Sequence, residues 1–386
     1  MLYDTDVIFD STNNDTDVIL TWGANVHEFI MTTIYDVAKE AGVSPKTVSR
    51  VINRDSNVRA KTTELVAAAI QKLGYVPSNA ARMMRSNRSG IVGMITGALS
   101  HNLDYQQPTG LPDLHIVQGI QQVFSESVKT LMIADTGGAA ESIDRLIDQF
   151  LQYRVEALIY VADYHQQVSI AQSRLECPMI LVNCYDTVGT PTVLPDDEAC
   201  QHSLVSELIA KGHRRIAYLT LNETMEATPL RLKGYRRALN DADIAYDPDI
   251  VMSGNSEIHF DDGPRLHEAL DRLLSHSLPP SVICCGNDEM ALRLYGLLRS
   301  RGVSIPSDIG VAGFDNYQRI SETLYPQLTT VELPYTAMGR LAATSLLAAV
   351  EEAKPLNSDP VRLAGSTFWR QSVASLTTSS ASKGEL

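Results

Sequence analysis

The chain runs to 386 residues, 44% of them hydrophobic, with a formal net charge of −14 at pH 7. That length allows two or three domains with cores of their own, and no apolar run reaches the roughly 18–20 residues that a membrane span requires. The five cysteines, Cys177, Cys184, Cys200, Cys284 and Cys285, contain no Cys-x-x-Cys spacing, which argues against a disulfide framework or zinc site and for small apolar core residues in a reducing cytoplasm.

Residues 1–30 hold six acidic side chains and no Lys or Arg. Lacking a basic n-region, they do not read as a signal peptide. A disordered acidic extension fits, as does an early translation start ahead of Met31, or a regulatory tail that competes with DNA for the segment behind it. That segment, residues 31–90, carries ten Lys or Arg against four acids, whereas the remainder holds 22 bases against 36 acids. A basic stretch on an acidic body is the electrostatic footprint of a nucleic-acid reader.

Within it, residues 34–53 read as two short helices. Thr33 and Asp36 have capping-box spacing for a helix start at Ile34, and Val37, Ala38 and Ala41 share one face. Gly42 can take positive φ and end that helix sharply. Ser44 is a preferred N-cap, with Pro45 at the first helical position. Val48, Val51 and Ile52 then face the first helix, and Pro45, Lys46, Thr47, Ser49, Arg50 and Asn53 lie opposite. The pattern fits a helix-turn-helix that presents polar groups to a major groove; an ordinary helical hairpin in a core fits it too. A third run, 61–73, puts Leu65, Ala69, Ile70 and Leu73 on one side. Arg59 stands at its N-cap, where an Arg cannot accept from backbone N–H groups.

Gly74-Tyr75-x-Pro77-x-Asn79-x-Ala81-Arg82 follows. Together with residues 33–53 it closely resembles the headpiece and hinge of the lactose-repressor (LacI/GalR) family of bacterial transcription regulators, whose members usually begin where Met31 stands. The resemblance implies a homodimer on a pseudo-palindromic operator in double-stranded DNA, with base-reading positions at Pro45, Lys46 and Arg50. Arg and Lys engage guanine O6 and N7, while Pro45 offers shape or contact with a thymine methyl. Thr33, Tyr35, Ser44, Thr47, Ser49, Asn53 and Asn57 carry donors suited to phosphates, which set register, although each also fits a cap or surface role. Tyr75, Asn79 and Ala81 join the DNA-binding set on the family pattern. Arg59 departs from that pattern, which usually has Ser. Residues 78–89 are the implied hinge, whose helix enters the minor groove. Met84 stands where the family usually places a wedging Leu, and packing of Met83 and Met84 on the body is the alternative.

From Ile91 onward, β-type runs at 91–95, 129–134, 157–161, 179–183, 215–220, 281–285 and 310–314 alternate with helical stretches such as 141–153, 199–211, 230–241, 263–276 and 289–301. Such alternation makes the fold class α/β, with doubly wound parallel sheets behind an all-α headpiece. No Gly-x-Gly-x-x-Gly follows the first strand, which counts against a dinucleotide enzyme. Lys-Gly-His-Arg-Arg-Ile-Ala-Tyr (211–218), Arg-Leu-Lys-Gly-Tyr (231–235), Cys-Gly-Asn-Asp-Glu-Met-Ala (285–291), Gly-Val-Ala-Gly-Phe-Asp (310–315) and Pro-x-Leu-Thr-Thr (326–330) extend the resemblance over residues 31–374. It implies a two-lobed effector domain like the periplasmic sugar-binding proteins. The expected division is an extension 1–30, a helix-turn-helix headpiece 31–76, a hinge helix and linker 77–90, an effector-binding core 91–374 and a disordered tail 375–386. Lobe 1 takes 91–192 and 334–357, and lobe 2 takes 193–333 and 358–374.

Ligands of such folds bind at the carboxyl ends of the strands, between the lobes. The family's cleft positions fall on Asn183, Arg231, Phe260, Asn287 and Asp315. Phe260 offers a face to a sugar or base ring, and Arg231 and Asp315 can bracket hydroxyls; a structural ion pair between those two is the alternative. Asn183 replaces an acid common at its position, and the Pro- and Gly-containing loop 100–115, bordering the cleft, is longer than usual. Both put transfer of a relative's ligand in doubt. His101, His115, His165, His213 and His259 lack nucleophile or metal spacing, so no catalytic residue, metal or cofactor is expected. The Ser/Thr-rich tail after Leu376 lacks the leucine heptads of tetrameric relatives, which favours a dimer. The expectation is a cytoplasmic, sequence-specific DNA-binding regulator, a repressor of a metabolic operon, allosterically controlled by a small polar effector such as a sugar. A sugar-binding protein or sugar-modifying enzyme with an incidental N-terminal helical domain is the competing class.

Overall fold

A computed structural model of the chain describes residues 32–53, 55–77, 88–97, 112–137, 142–170, 175–254 and 263–376. It divides into two compact units, Met1–Arg85 and Ser86–Leu386. The acidic extension, Asn79, Ala81 and Met84 of the expected hinge, Phe260 and the tail from residue 377 lie outside the described residues.

In the first unit, α1 (Ile34–Ala41), α2 (Pro45–Ile52) and α3 (Ala60–Leu73) close around Val37, Ala38, Val48, Val66 and Ala69. The local signals act as the sequence indicates. The Thr33 hydroxyl accepts from the Asp36 N–H, and Asp36 accepts from the Thr33 N–H at 2.8 Å. Gly42 turns the chain at φ 63°, and Ser44 caps α2. The inner face of α3 corrects one expectation: Leu65 is 50% exposed and Val66 is buried instead. Val66, Ala69, Ile70 and Leu73 hold the i, i+3, i+4, i+7 spacing that one helix face requires. Arg59, at the N-cap, makes no side-chain cap bond. Arg59→Ser is therefore expected to stabilise the headpiece by about 1 kcal/mol, read as a higher urea midpoint for α-helical signal from this unit; an unchanged midpoint contradicts it.

The second unit holds two six-stranded sheets. β1 (Ile91–Thr96), β2 (Thr130–Asp135), β3 (Ala157–Gln167), β4 (Met179–Tyr185), β5 (Thr192–Pro195) and β11 (Val361–Leu363) form the first, in the order β11-β5-β4-β3-β1-β2 and all parallel. β6 (Ile216–Thr220), β7 (Val251–Ser253), β8 (Val282–Cys285), β9 (Gly310–Asp315), β10 (Thr329–Glu332) and β12 (Thr367–Phe368) form the second, in the order β12-β10-β9-β8-β6-β7. Only β12 runs antiparallel, against β10. β6 and β8 are buried throughout, as strands covered on both faces must be.

Helices provide that cover. α4 (Pro112–Ser125) and α11 (Tyr335–Glu351) pack on one face of the first sheet, and α5 (Ser142–Gln152) packs on the other. α6 (Asp197–Ala210) and α7 (Ala227–Asp241) cover one face of the second sheet, opposite α8 (Gly263–Ser275) and α9 (Asp288–Ser300). A short α10 (Gln318–Ser321) follows β9. α4 and α11 approach so closely that a Cβ at Gly119 would overlap the Thr336 carbonyl, and one at Gly339 the Ile116 carbonyl.

The chain crosses between lobes three times, between β5 and α6, β10 and α11, and β11 and β12. Two expected boundaries shift accordingly. Val193–Pro195 and Val361–Leu363, assigned to lobe 2 from sequence, pair in the first sheet. These strands of three or four residues are too short to show a period. Residues 112–115 of the expected loop 100–115 belong to α4 instead, a proline being well suited to a first helical position, and residues 100–111 lie outside the described residues.

At the amino end of the first sheet, Glu156 clamps the chain entering β1. Its Oε1 accepts from the Gly90 N–H and its Oε2 from the Lys129 ammonium, each at 2.7 Å, while the Gly90 carbonyl accepts from the Thr130 N–H at 2.8 Å. Burial opposes the Glu156 charge, and the Lys129 and Gly90 donors overcome it, holding the carboxyl below its usual range. Deleting one partner strands the other, since both side chains are at most 10% exposed. Glu156→Ala is expected to lose about 3–5 kcal/mol in urea unfolding of the full chain, and Lys129→Met in the same variant to recover part of it. A loss below about 1 kcal/mol, the value of a surface pair, would contradict the clamp.

Candidate nucleic-acid interface and ligand cleft

In the first unit the capping geometry leaves α2 with one outward polar face. Lys46 and Arg50 are exposed, as is Tyr35 on α1, at 71%. Arg50 Nε lies 3.7 Å from Asp55. An exposed pair of that length is worth little, so the guanidinium can exchange Asp55 for a stronger acceptor. Several expected phosphate donors are engaged within the unit. The Ser44 and Thr47 hydroxyls meet at 2.9 Å, the Asn53 amide donates to the Ser49 carbonyl at 2.6 Å, and Asn57 donates to Asp55. Thr33 is taken up by the capping box. Pro45 and Tyr75 are half-buried.

In the second unit, four of the five expected cleft residues are described, and three converge at the carboxyl ends of β8 and β9 with α7. Arg231 is 5% exposed. Its Nε donates to Asp197 Oδ1 at 2.7 Å, Nη1 donates to the Gly286 carbonyl at 2.6 Å, and the guanidinium lies 3.7 Å from the Phe314 ring centroid. Asp315 Oδ1 is 4.0 Å from Nη2. The tighter ion-pair partner of Arg231 is Asp197, at 2.7 Å, while the pair with Asp315, offered from sequence as the alternative to a bracketing role, is present at 4.0 Å. Asp197 in turn holds His165 Nδ1 on its other oxygen, at 3.0 Å. His165 belongs to the first lobe and Asp197 to the second, so the contact ties β3 to α6 across the cleft. Tyr185, at the end of β4, reaches Glu226 at the start of α7 in the same manner. Tyr335 packs against the cores of both lobes.

Asn287 caps α9 by accepting from the Met290 N–H at 2.8 Å, leaving its amide N–H groups uncommitted to that cap. Asn183 sits at φ 62°, 1% exposed, and donates to the Ala162 carbonyl at 3.1 Å. Asp315 and Asn316 are consecutive non-glycine residues at positive φ, 109° and 52°. Backbone in that region costs energy that the surroundings must supply, and such strain gathers at sites of function. Asp315 keeps 29% of its side chain exposed and is the carboxyl of this group that faces outward.

The electrostatics follow from burial. Desolvation opposes the Asp197 charge, but Arg231 and His165 hold the carboxyl below its usual range. Burial and nearby carboxylates push Asp315 well above its usual range, although Arg231 opposes them. Burial pushes Asp288, which accepts from Thr330 Oγ1 and the Tyr317 N–H, up to about 7. Sequence reasoning missed Asp197, His165 and Tyr335. Asp196, Asp197 and Glu198 read alike as acids favoured at a helix start; only the fold shows that Asp196 caps α6 while Asp197 turns inward.

Elsewhere, a recess of about 400 Å³ at the amino end of the first sheet is lined by Cys177, Met179, Pro191, Ala349, Lys354 and Leu356 among others. Polar groups do not converge there as they do at Arg231. Among the described residues no cluster of His, Cys, Asp or Glu is arranged to hold a metal, and no helix is long and apolar enough to cross a membrane.

The profile of bacterial regulatory proteins of the lacI family matches residues 33–78, and that of the periplasmic binding protein-like domain matches residues 205–373. The ribose operon repressor of Escherichia coli strain K12 is 33% identical over 322 residues, covering 82% of this chain and 92% of the repressor. Catabolite control protein A of Priestia megaterium is 30% identical over 344 residues, covering 88% of this chain and 98% of that protein. Among solved structures, the lac repressor dimer bound to operator and the anti-inducer ONPF aligns with a TM-score of 0.71 at 23% identity, over 89% of this chain and 99% of that one. The cellobiose complex of the transcriptional regulator CelR aligns with a TM-score of 0.57 at 27% identity, over 88% and 99%.

Proposed function

Because the chain belongs to the lacI family of bacterial regulatory proteins, we propose that it represses transcription by holding an operator through α2 under the control of a sugar-class effector bound between its lobes. It is a DNA-binding transcriptional regulator, as its relatives are. The observation that carries the operator reading is the doubly capped helix pair that turns Lys46 and Arg50 outward on a basic segment of an acidic chain. Lys46 and Arg50 read guanine edges, and Tyr35 with the remaining exposed donors sets register on phosphate. The effector reading rests on Arg231, Asp315, Asn287 and Asn183 at the strand ends, on the operon that the ribose repressor is named for, and on the cellobiose held by the CelR structure.

The reading includes a homodimer in the cytoplasm. The lac repressor structure is a dimer, and on this chain Ile133 of the edge strand β2, Leu292 of α9 and Tyr325 are large apolar side chains, 42%, 46% and 87% exposed. No reaction is assigned: Asp197, Asp315 and His165 serve as binding and bracing groups. The test is capture of genomic fragments on the immobilised full chain, followed by challenge with single sugars. Captured fragments that share a pseudo-palindrome, and whose retention responds to one sugar class, are the expected result. Fragments with no shared motif, or retention indifferent to every sugar, would contradict the reading.

A further inference from the structure

Arg50 is the side chain offered to guanine, and a carboxylate stands beside it before any DNA arrives. Beyond α2 the chain folds back: the Asp55 N–H donates to the Arg50 carbonyl at 3.0 Å, and the Val58 N–H donates to the Asp55 carbonyl at 3.2 Å. Asp55 Oδ1 accepts twice from Asn57, from its backbone N–H and from its side-chain amide, each at 3.0 Å. With its backbone and Oδ1 both committed to this turn, the carboxylate keeps little freedom to rotate. Its Oδ2 then faces Arg50 Nε at 3.7 Å. The Asn57 N–H, helped by the Asn57 amide and Arg50, holds the Asp55 carboxyl below its usual range, so it is an anion at neutral pH.

An acid on a DNA-reading face runs against plain electrostatics, because the phosphates repel it. The shape of the guanidinium accounts for its place. That group donates along two edges, one formed by Nε with a terminal nitrogen and the other by the two terminal nitrogens. Asp55 stands at Nε, which leaves the terminal edge, Nη1 with Nη2, for the O6 and N7 of a guanine. In water the exposed pair is weak and opens readily. In the groove, where the bases displace water, the same two charges attract more strongly. Arg50 then loses less freedom on reading, since one of its edges is already placed.

We propose that Asp55 is a positioning residue of the reading face: without touching a base, it fixes the Arg50 guanidinium end-on toward guanine, so that discrimination between sequences depends on an acid. The inference rests on the reading of α2 given above. Its test measures the affinity of the full chain, at one salt concentration, for its selected pseudo-palindrome and for duplexes in which each half-site guanine is replaced by adenine. Asp55→Asn keeps the Oδ1 acceptor for Asn57 and removes the charge. Asp55→Ser keeps an acceptor for the Asn57 N–H and removes the carboxyl altogether. Both should cut guanine discrimination by about tenfold over two half-sites and leave the urea midpoint of the headpiece unchanged. Both should also hold or raise the affinity for an unrelated duplex, because a negative charge is gone. In an Arg50→Ala background, Asp55→Asn should cost no further discrimination, as expected of two residues that act as one. Discrimination that is unchanged in both variants, or lost only in step with a lower urea midpoint, overturns the positioning role. So does a further loss on top of Arg50→Ala, or a loss at a base pair that Arg50→Ala leaves alone. Guanine discrimination that survives Arg50→Ala contradicts the reading of α2 itself, and the inference falls with it.

Discussion

Arg50→Ala is expected to abolish specific operator recognition while leaving the fold and effector affinity intact. The side chain is 53% exposed, and its partner within the unit is Asp55 at 3.7 Å, so no core contact is lost. A good side-chain contact to a guanine discriminates by about 1–3 kcal/mol. Two half-sites in a dimer double that to roughly 2–6 kcal/mol, between about thirtyfold and about twenty-thousandfold in affinity at 1.4 kcal/mol per decade. Sequence-independent binding through the remaining basic side chains should persist, with its steep salt dependence. A footprint of unchanged affinity would place the reading face elsewhere.

Arg231→Ala should act at the other site and by a different route. It removes donors from the cleft, so effector affinity should fall below detection in calorimetry while DNA is still bound. It also leaves Asp197 buried without its guanidinium, a loss expected to cost about 3–5 kcal/mol of stability. Stability and affinity therefore have to be separated. Replacing both charges, Arg231→Gln with Asp197→Asn, strands neither ion, although the shorter Gln leaves a small cavity, so part of the stability should return while effector binding stays absent. Undiminished ligand affinity in either variant would move the site away from the carboxyl ends of β8 and β9.

How much of this was legible in the sequence divides along the range of the interactions. The helix pair could be read residue by residue, because Thr33 with Asp36, Gly42, and Ser44 with Pro45 act on backbone within a few positions. The longer apolar strands and several amphipathic helices of the core were equally plain, whereas α4 and α11 were not among the runs the sequence singled out. Short strands such as β5 and β11 were not, since their membership of the first sheet depends on crossings between lobes rather than on any period in three or four residues. The cleft shows the same limit. Arg231 stood out, but its partner did not: one of three successive acids turns inward, and the choice is made by where α6 meets β3 and α7. Leu65 was misjudged for a related reason, since two overlapping apolar faces of α3 compete and only packing against α1 and α2 selects Val66.

The two units bind different things, one DNA and the other a small molecule, and the central claim is that the first reads sequence through α2. Selection of binding sites from a randomised duplex pool by the full chain, followed by affinity measurements across salt, tests it most directly. The account predicts enrichment of a pseudo-palindrome with guanine-bearing half-sites. Its affinity should fall by about 10³–10⁵ between roughly 50 and 200 mM salt, as several phosphate contacts require. A pool that emerges unenriched, or an enriched site that Arg50→Ala binds as tightly as the wild type does, would contradict it.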